Sequence, residues 1–164
     1  MTLFKFPDPV NEISARLVAG GVVLMGLVIL IAQQPWLIAI MAYGFVARVL
    51  TGPTLSPLGQ FVTRVITPAL GAEPKFVPGP PKRFAQGIGA TLSVTAAVLH
   101  FGFGATGVAY LLVGGIVLAA SLEAVFAFCC GCKIFTLLIR AGVVPERACV
   151  ACSDISERLA AGVR

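Results

Sequence analysis

Four of the five cysteines form two Cys-x-x-Cys pairs near the C-terminus, Cys129/Cys132 and Cys149/Cys152. Sixteen residues separate the pairs, and this spacing is typical of tetrathiolate zinc sites. A two-residue gap lets both sulfurs of a pair reach one ion, and two pairs complete a tetrahedron around it. Iron and iron–sulfur clusters take the same ligands, so the pattern predicts metal binding, with zinc favoured and iron as the alternative. Cys130 is adjacent to the first pair and can substitute for Cys129.

The same pairs also suit thiol-redox or sulfur-transfer chemistry. A Cys-x-x-Cys at the start of a helix has a lowered pKa and cycles between dithiol and disulfide. The sequence places Cys129 at the C-terminal end of a long helix, where the helix dipole disfavours a thiolate. Cys149 and Cys152, near Arg147 on the tail, are then the more reactive pair. Buried cysteines acting only as small hydrophobes account poorly for two pairs, so we expect a non-enzymatic metal-binding site, with a thiol relay as the alternative.

The composition identifies the environment of these cysteines. Of the 164 residues, 58% are hydrophobic and only 12% are charged, and the mean hydropathy is +0.98, which is typical of an integral membrane protein. We therefore predict an all-α membrane protein with one domain, residues 1–164. Four stretches have the length of membrane spans: 15–33, 36–50, 85–103 and 106–128. Very short linkers join them into two tight hairpins.

The connection 51–84 contains a helix signal. Ser56 followed by Pro57 combines a capping side chain with a proline at the first helical position. Apolar residues then recur at helical spacing, which predicts an amphipathic helix in the membrane interface. Pro68 is expected to end or kink this helix. The proline-rich stretch after it is predicted to be an extended strap that leads to the third span, with a docking site for a cytoplasmic partner as the alternative.

The tail, residues 129–164, begins with a second amphipathic pattern. An unbroken helix from the fourth span would be too long for one crossing, so a bend near Gly131 is expected. Residues 134–139 would then lie along the interface, and Gly142 with Pro145 would end the helix.

The positive charges predict the orientation. All twelve Lys and Arg residues lie outside the four spans or at their ends, and one threading places every one on the same side. Because Lys and Arg remain cytoplasmic, both termini, the central connection and the cysteines are expected on the cytoplasmic side of a bacterial plasma membrane. A reducing compartment disfavours structural disulfides there. The charges are spread over three short segments, so anionic lipid rather than nucleic acid is the expected partner.

Few polar side chains lie inside the spans. Glu123 is expected to form a structural ion pair with Arg48 or Arg16 that locks the two hairpins together, with proton or ion handling as the alternative. His100 is the only histidine and is expected to bond to a neighbouring helix rather than bind a metal. Small residues favour close helix contacts, which permits an oligomer and makes a transporter the least favoured function.

Three segments resemble one protein family. Phe128-Cys129-Cys130-Gly131-Cys132, Val10-Asn11-Glu12 with Ala15-Arg16, and the run 78–86 are similar to an uncharacterised family of small bacterial four-span membrane proteins, a domain of unknown function. Its hallmark is an F-C-x-G-C segment after the last span. The association of some relatives with thioredoxin-like or rhodanese-like proteins implies such a cytoplasmic partner. The resemblance implies no catalytic residue and no substrate.

Overall fold

A computed structural model describes residues 9–71 and 73–143 of the chain. The described part is mostly helical, in agreement with the all-α prediction. It also contains two very short strands. The elements in chain order are β1 (Val10–Asn11), α1 (Glu12–Ala32), α2 (Trp36–Thr51), α3 (Pro57–Phe61), a wider π-helical turn (Val62–Ile66), α4 (Thr67–Ala69), β2 (Phe76–Val77), α5 (Gly79–Phe103), α6 (Thr106–Phe126) and α7 (Cys130–Arg140).

Three of these helices, α1, α5 and α6, are long and apolar enough to cross a membrane. The apolar helix α2 is shorter, at 16 residues, and reaches about 24 Å at 1.5 Å per residue. The described residues thus contain three candidate spans and one shorter apolar helix, which fits a membrane protein. Exposed apolar side chains agree with a lipid-facing surface: Ile31 is 79% exposed and Leu111 is 75% exposed.

The four apolar helices share one core. α1 packs along α6, α5 packs against both α6 and α2, and α7 lies on α5. Fully buried side chains at the centre come from α1, α2 and α6: Ile29, Ile38, Met41 and Val113. The first and last long helices are therefore neighbours, although they are farthest apart in sequence.

The helix predicted in the connection is present and longer than expected. Ser56 caps it by accepting a hydrogen bond from the Gly59 N–H (3.3 Å), and Pro57 occupies the first position. The helix continues through Pro68 to Ala69 instead of ending there. Proline has no N–H and its ring collides with the preceding turn. The wider turn just before it removes that collision, since the Thr67 N–H bonds five residues back.

The proline-rich strap is shorter than predicted, because α5 begins at Gly79, six residues before the expected start. Two prolines fit the first turn, where backbone N–H groups have no partner within the helix. Phe76 and Val77 form β2, which pairs antiparallel with β1 at the register Val10↔Val77 and Asn11↔Phe76. This pairing ties the N-terminal segment to the start of α5.

The chain bends earlier than predicted after the fourth apolar helix. α6 ends at Phe126, and Ala127 takes a left-handed conformation (φ 55°). The next helix, α7, starts at Cys130, so the bend lies at residues 127–129 and not near Gly131. Gly131 instead allows close packing, because a Cβ there would lie 2.5 Å from the Ala85 Cβ. Phe135 is buried one turn later, 5.4 Å between ring centroids from Phe84.

The contact between α7 and α5 predicts the effect of Gly131→Ala. The added methyl group meets the backbone of Ala85 as well as its side chain, so the helices must separate. Overpacking of this kind costs about 1–3 kcal/mol, and we expect a lower thermal unfolding temperature in detergent. Gly87→Ala is the matched control, because nothing lies within 4 Å of its Cβ position. Equal unfolding temperatures for the two variants would contradict close α7–α5 packing.

Candidate dithiol site

Cys129 and Cys132 lie at the N-terminal end of α7. Cys129 is the last residue before this helix, in an extended conformation (φ −88°, ψ 104°), and its carbonyl accepts the Lys133 N–H at 3.1 Å. The positive end of the helix dipole therefore lies beside the sulfur. The prediction that Cys129 ends a long helix is wrong, since α6 stops three residues earlier. The helix-dipole argument against a thiolate at Cys129, which assumed that position, therefore no longer applies.

The pKa values of the two thiols are shifted in opposite directions. The Cys132 thiol donates a hydrogen bond to Cys129 and lowers the pKa of Cys129, while burial and Glu123 act in the opposite direction. The Cys132 backbone and the Lys82 ammonium also favour the Cys129 thiolate. The same hydrogen bond and burial raise the pKa of Cys132. Hydrogen bonding to the charged form is thus the dominant cause, and Cys132 is the donor that favours the thiolate form of Cys129.

A buried ion pair lies next to these sulfurs. Lys82 Nζ, in the first turn of α5, lies 2.5 Å from Glu123 Oε1, in the last turn of α6, and both side chains are largely buried. This charge-assisted hydrogen bond joins the two helices where α6 ends. An early start of α5 places Lys82 on a helix that faces α6, and not on a solvated strap.

The predicted partners of Glu123 need correction. Arg48 donates instead from Nε to Gln86 Oε1 at 3.0 Å, and its guanidinium lies 4.5 Å from the Phe45 ring centroid. Arg16 donates three hydrogen bonds of 3.0–3.1 Å to the carbonyls of Ala124 and Val125.

Both arginines nevertheless join helices. Arg16 connects α1 to the carbonyls that are left unpaired at the end of α6. Arg48 connects α2 to α5 through Gln86. Lys82, and neither arginine, forms the ion pair with Glu123 among the described residues.

His100 is not part of this site. It lies near the C-terminal end of α5, whereas Lys82 is near the beginning. Its ring makes edge contacts with Phe101 and Tyr110. Within residues 9–71 and 73–143 its buried Nδ1 has no hydrogen-bond partner, so the expected bond to a neighbouring helix is not found there.

A cavity of about 400 Å³ gives access to the two sulfurs. Both cysteines line it, together with the cations Lys82 and Lys133 and the acid Glu12. A smaller cavity of about 110 Å³ borders Cys129 from the side of Glu123. The positive lining of the larger cavity suits an anionic or thiolate-bearing group.

Sequence reasoning missed Lys82 and Gln86. A signal for both was available: Pro80 and Pro81 are suited to a first helical turn. A helix that starts there places Lys82 in that turn and Gln86 four residues later on the same face. When the prolines are assigned to an extended strap, the helix face that carries Lys82 and Gln86 is not predicted.

The four-cysteine site stays a prediction. Cys149 and Cys152 lie outside the described residues. In the part of the chain that the structure describes, no three His, Cys, Asp or Glu side chains are close enough to hold a metal ion. Cys129 and Cys132 would supply two of the four ligands, and Cys130 follows Cys129 directly.

The ion pair predicts the effect of Lys82→Met. The variant leaves the Glu123 carboxylate buried without its cation, which costs about 3–5 kcal/mol, so the unfolding temperature in detergent should fall strongly. Adding Glu123→Gln removes the stranded charge and should recover part of the loss. Lys75→Met is the control, because its pair with Glu12 (3.0 Å) is largely exposed on the lysine side and is worth under about 1 kcal/mol. Equal effects of the two lysine substitutions would contradict a stabilising pair at Glu123.

No curated protein and no solved structure matches the chain. One protein-family model does match, over residues 10–140. The matched range begins at β1, ends at the last residue of α7, and includes Cys129 and Cys132 but not the second cysteine pair. The chain belongs to the family described as Domain of unknown function (DUF4395).

Proposed function

We propose that Cys129 and Cys132 form the working dithiol of a membrane-bound thiol relay, which exchanges electrons or sulfur with a thioredoxin-like or rhodanese-like protein in the cytoplasm. The observation that carries this proposal is the polarised pair itself: a sulfur with a lowered pKa at the start of α7, hydrogen-bonded to a second sulfur that keeps its proton. A low-pKa thiolate beside a resolving thiol is the arrangement that dithiol exchange requires.

The exchange step follows from the two roles. The Cys129 thiolate attacks one sulfur of a partner disulfide, and the other partner sulfur leaves as a thiolate. The Cys132 thiol then loses its proton and attacks the Cys129 sulfur, which breaks the mixed disulfide and releases the partner's second thiolate. Two electrons pass to the partner, and the protein is left with a Cys129–Cys132 disulfide. The reverse sequence reduces it again.

Lys82 and Glu123 support this chemistry as a positioning pair. The ammonium favours the Cys129 thiolate and the carboxylate opposes it. Because the two charges are in contact, the thiolate is stabilised by a cation that is itself held in place. Glu123 also balances Lys82 when the sulfur carries no charge.

We further propose the arrangement of the protein in the membrane. In this proposal α1, α2, α5 and α6 cross a bacterial plasma membrane as two hairpins, with both termini and the dithiol on the cytoplasmic side. The connecting turns 33–35 and 104–105 carry no charge, whereas Arg16, Arg48 and Lys82 lie at the opposite ends of their helices. Helix α7 is amphipathic, as membrane-surface helices are.

A tetrathiolate zinc or iron site formed with Cys149 and Cys152 is the second candidate. The spacing of the two pairs favours it, and Cys129 and Cys132 lie close enough to share one ion. The two candidates use the same first pair of sulfurs, so the metal content of the purified protein separates them.

The dithiol proposal predicts the pH dependence of alkylation. With its lowered pKa, Cys129 should react with iodoacetamide at pH values below the ordinary thiol pKa of about 8.5, because the thiolate persists there. Cys132→Ala removes the hydrogen-bond donor and should move the midpoint to higher pH, whereas Cys132→Ser retains a donor and should move it less. Peptide-resolved mass spectrometry measures each cysteine separately.

Two results would contradict the relay. One is a midpoint for Cys129 that is the same in the wild type and in Cys132→Ala. The other is about one zinc or iron per chain by elemental analysis, lost on substitution of either Cys132 or Cys152, which would support the four-cysteine site.

The membrane arrangement predicts a cytoplasmic C-terminus. Green fluorescent protein fused after Arg164 should be fluorescent in cells, and alkaline phosphatase fused at the same position should be inactive, since it needs an oxidising compartment for its disulfides. A fusion within the turn 104–105 serves as the matched control with the opposite pattern. An active phosphatase at the C-terminus would overturn the topology and place the cysteines outside the cytoplasm.

A further inference from the structure

Arg48 is a buried cation that forms no ion pair with a carboxylate in the part of the chain that the structure describes. It is 6% exposed. Among the described residues its hydrogen-bond partner is the neutral amide of Gln86, and one face of the guanidinium lies against the Phe45 ring. Arginine keeps its charge under all ordinary conditions, and a buried charge is costly unless it is paired. An anion in contact with the guanidinium would therefore stabilise it in these surroundings.

The nearby acid is already engaged. Glu123 acts on Arg48 only at a distance, because its carboxylate is in direct contact with Lys82. Among the described residues, Lys82 is thus paired with Glu123, whereas no carboxylate is in direct contact with Arg48.

A cavity lies beside this charge. It has a volume of about 270 Å³ and is bordered by α1, α2, α3 and α5. Its polar lining includes Arg48, Lys82, Gln86 and Asn11. One water needs only about 10–15 Å³ of such volume, so a larger polar group fits. Among residues 9–71 and 73–143, no acidic side chain lines it.

We propose that this cavity binds a tetrahedral oxyanion, a phosphate or sulfate group, which pairs with Arg48. The planar guanidinium presents parallel N–H donors that match two oxygens of such a group. The Gln86 bond at Nε and the Phe45 ring fix the guanidinium in advance. Lys82 adds a second cation, since its ammonium has three donors and Glu123 takes one. The group belongs either to a free inorganic anion or to the headgroup of an anionic lipid.

The test is a thermal unfolding titration of the full chain in detergent. Sodium sulfate and sodium phosphate are compared with sodium chloride at constant ionic strength. Wild-type protein should show a saturable rise in unfolding temperature with sulfate or phosphate. A second arm compares nanodiscs of phosphatidylglycerol with nanodiscs of phosphatidylcholine. A rise with free anion identifies a soluble ligand, and a rise with phosphatidylglycerol alone identifies a headgroup; either result supports the site.

Gln86→Glu is the decisive variant. The new carboxylate at position 86 can pair directly with the Arg48 guanidinium. Without anion, the variant should therefore be at least as stable as the wild type. It should bind the anion roughly tenfold or more weakly. Arg48→Gln should also lose the response, and Gln86→Glu keeps the test valid if Arg48→Gln does not fold. Arg64→Gln is the control, because Arg64 is an exposed cation outside the cavity, and it should keep the wild-type response.

Two results would overturn the proposal. The first is an unchanged response in Gln86→Glu. The second is the absence of stabilisation by sulfate, by phosphate and by phosphatidylglycerol in the wild type. Because neither readout depends on the oxidation state of the cysteines, failure here leaves the thiol relay standing, and failure of the relay leaves this site standing.

Discussion

The contact between Lys82 and Glu123 is the constraint on which the candidate site depends. It fixes the beginning of α5 against the end of α6, and α7 starts four residues after α6 ends. The position of the first cysteine pair is therefore set by two charges that have little access to water. A buried pair of this kind contributes little net stability. Its value here lies in specifying one arrangement of three helix ends.

Most of the helical framework could be predicted from the sequence, because long apolar runs and capping residues are local signals. The Ser56–Pro57 start was correct, and so were the approximate positions of α1, α2, α5 and α6. The two helix boundaries next to the site, the start of α5 and the end of α6, differ from the prediction. The prolines that start α5 suit an extended strap as well as a first helical turn, and the left-handed Ala127 that ends α6 has no sequence signal, since alanine favours helix.

The candidate site was predictable in its sulfurs but not in its charges. Cys129 and Cys132 are identified by spacing alone, whereas the partner of Glu123 depends on which residues face α6 across a helix interface. The predicted start of α5 lies six residues too late, so Lys82 falls outside the predicted helix. The prediction therefore pairs Glu123 with Arg48 or Arg16 instead of Lys82. The early end of α6 separately reverses the expected effect of the helix dipole on Cys129, because the sulfur precedes a helix instead of ending one.

The packing of α1 on α6 has a consequence for how the protein is made. α1 is synthesised first, but its main neighbour is the last of the four apolar helices to be synthesised. If the four helices cross a membrane as proposed, they insert individually and associate afterwards, and α1 then faces lipid until α6 has been inserted. Arg16 remains without the carbonyls of Ala124 and Val125 until the same moment. The helix bundle therefore closes late, and its closure coincides with the arrival of the residues that lead into α7.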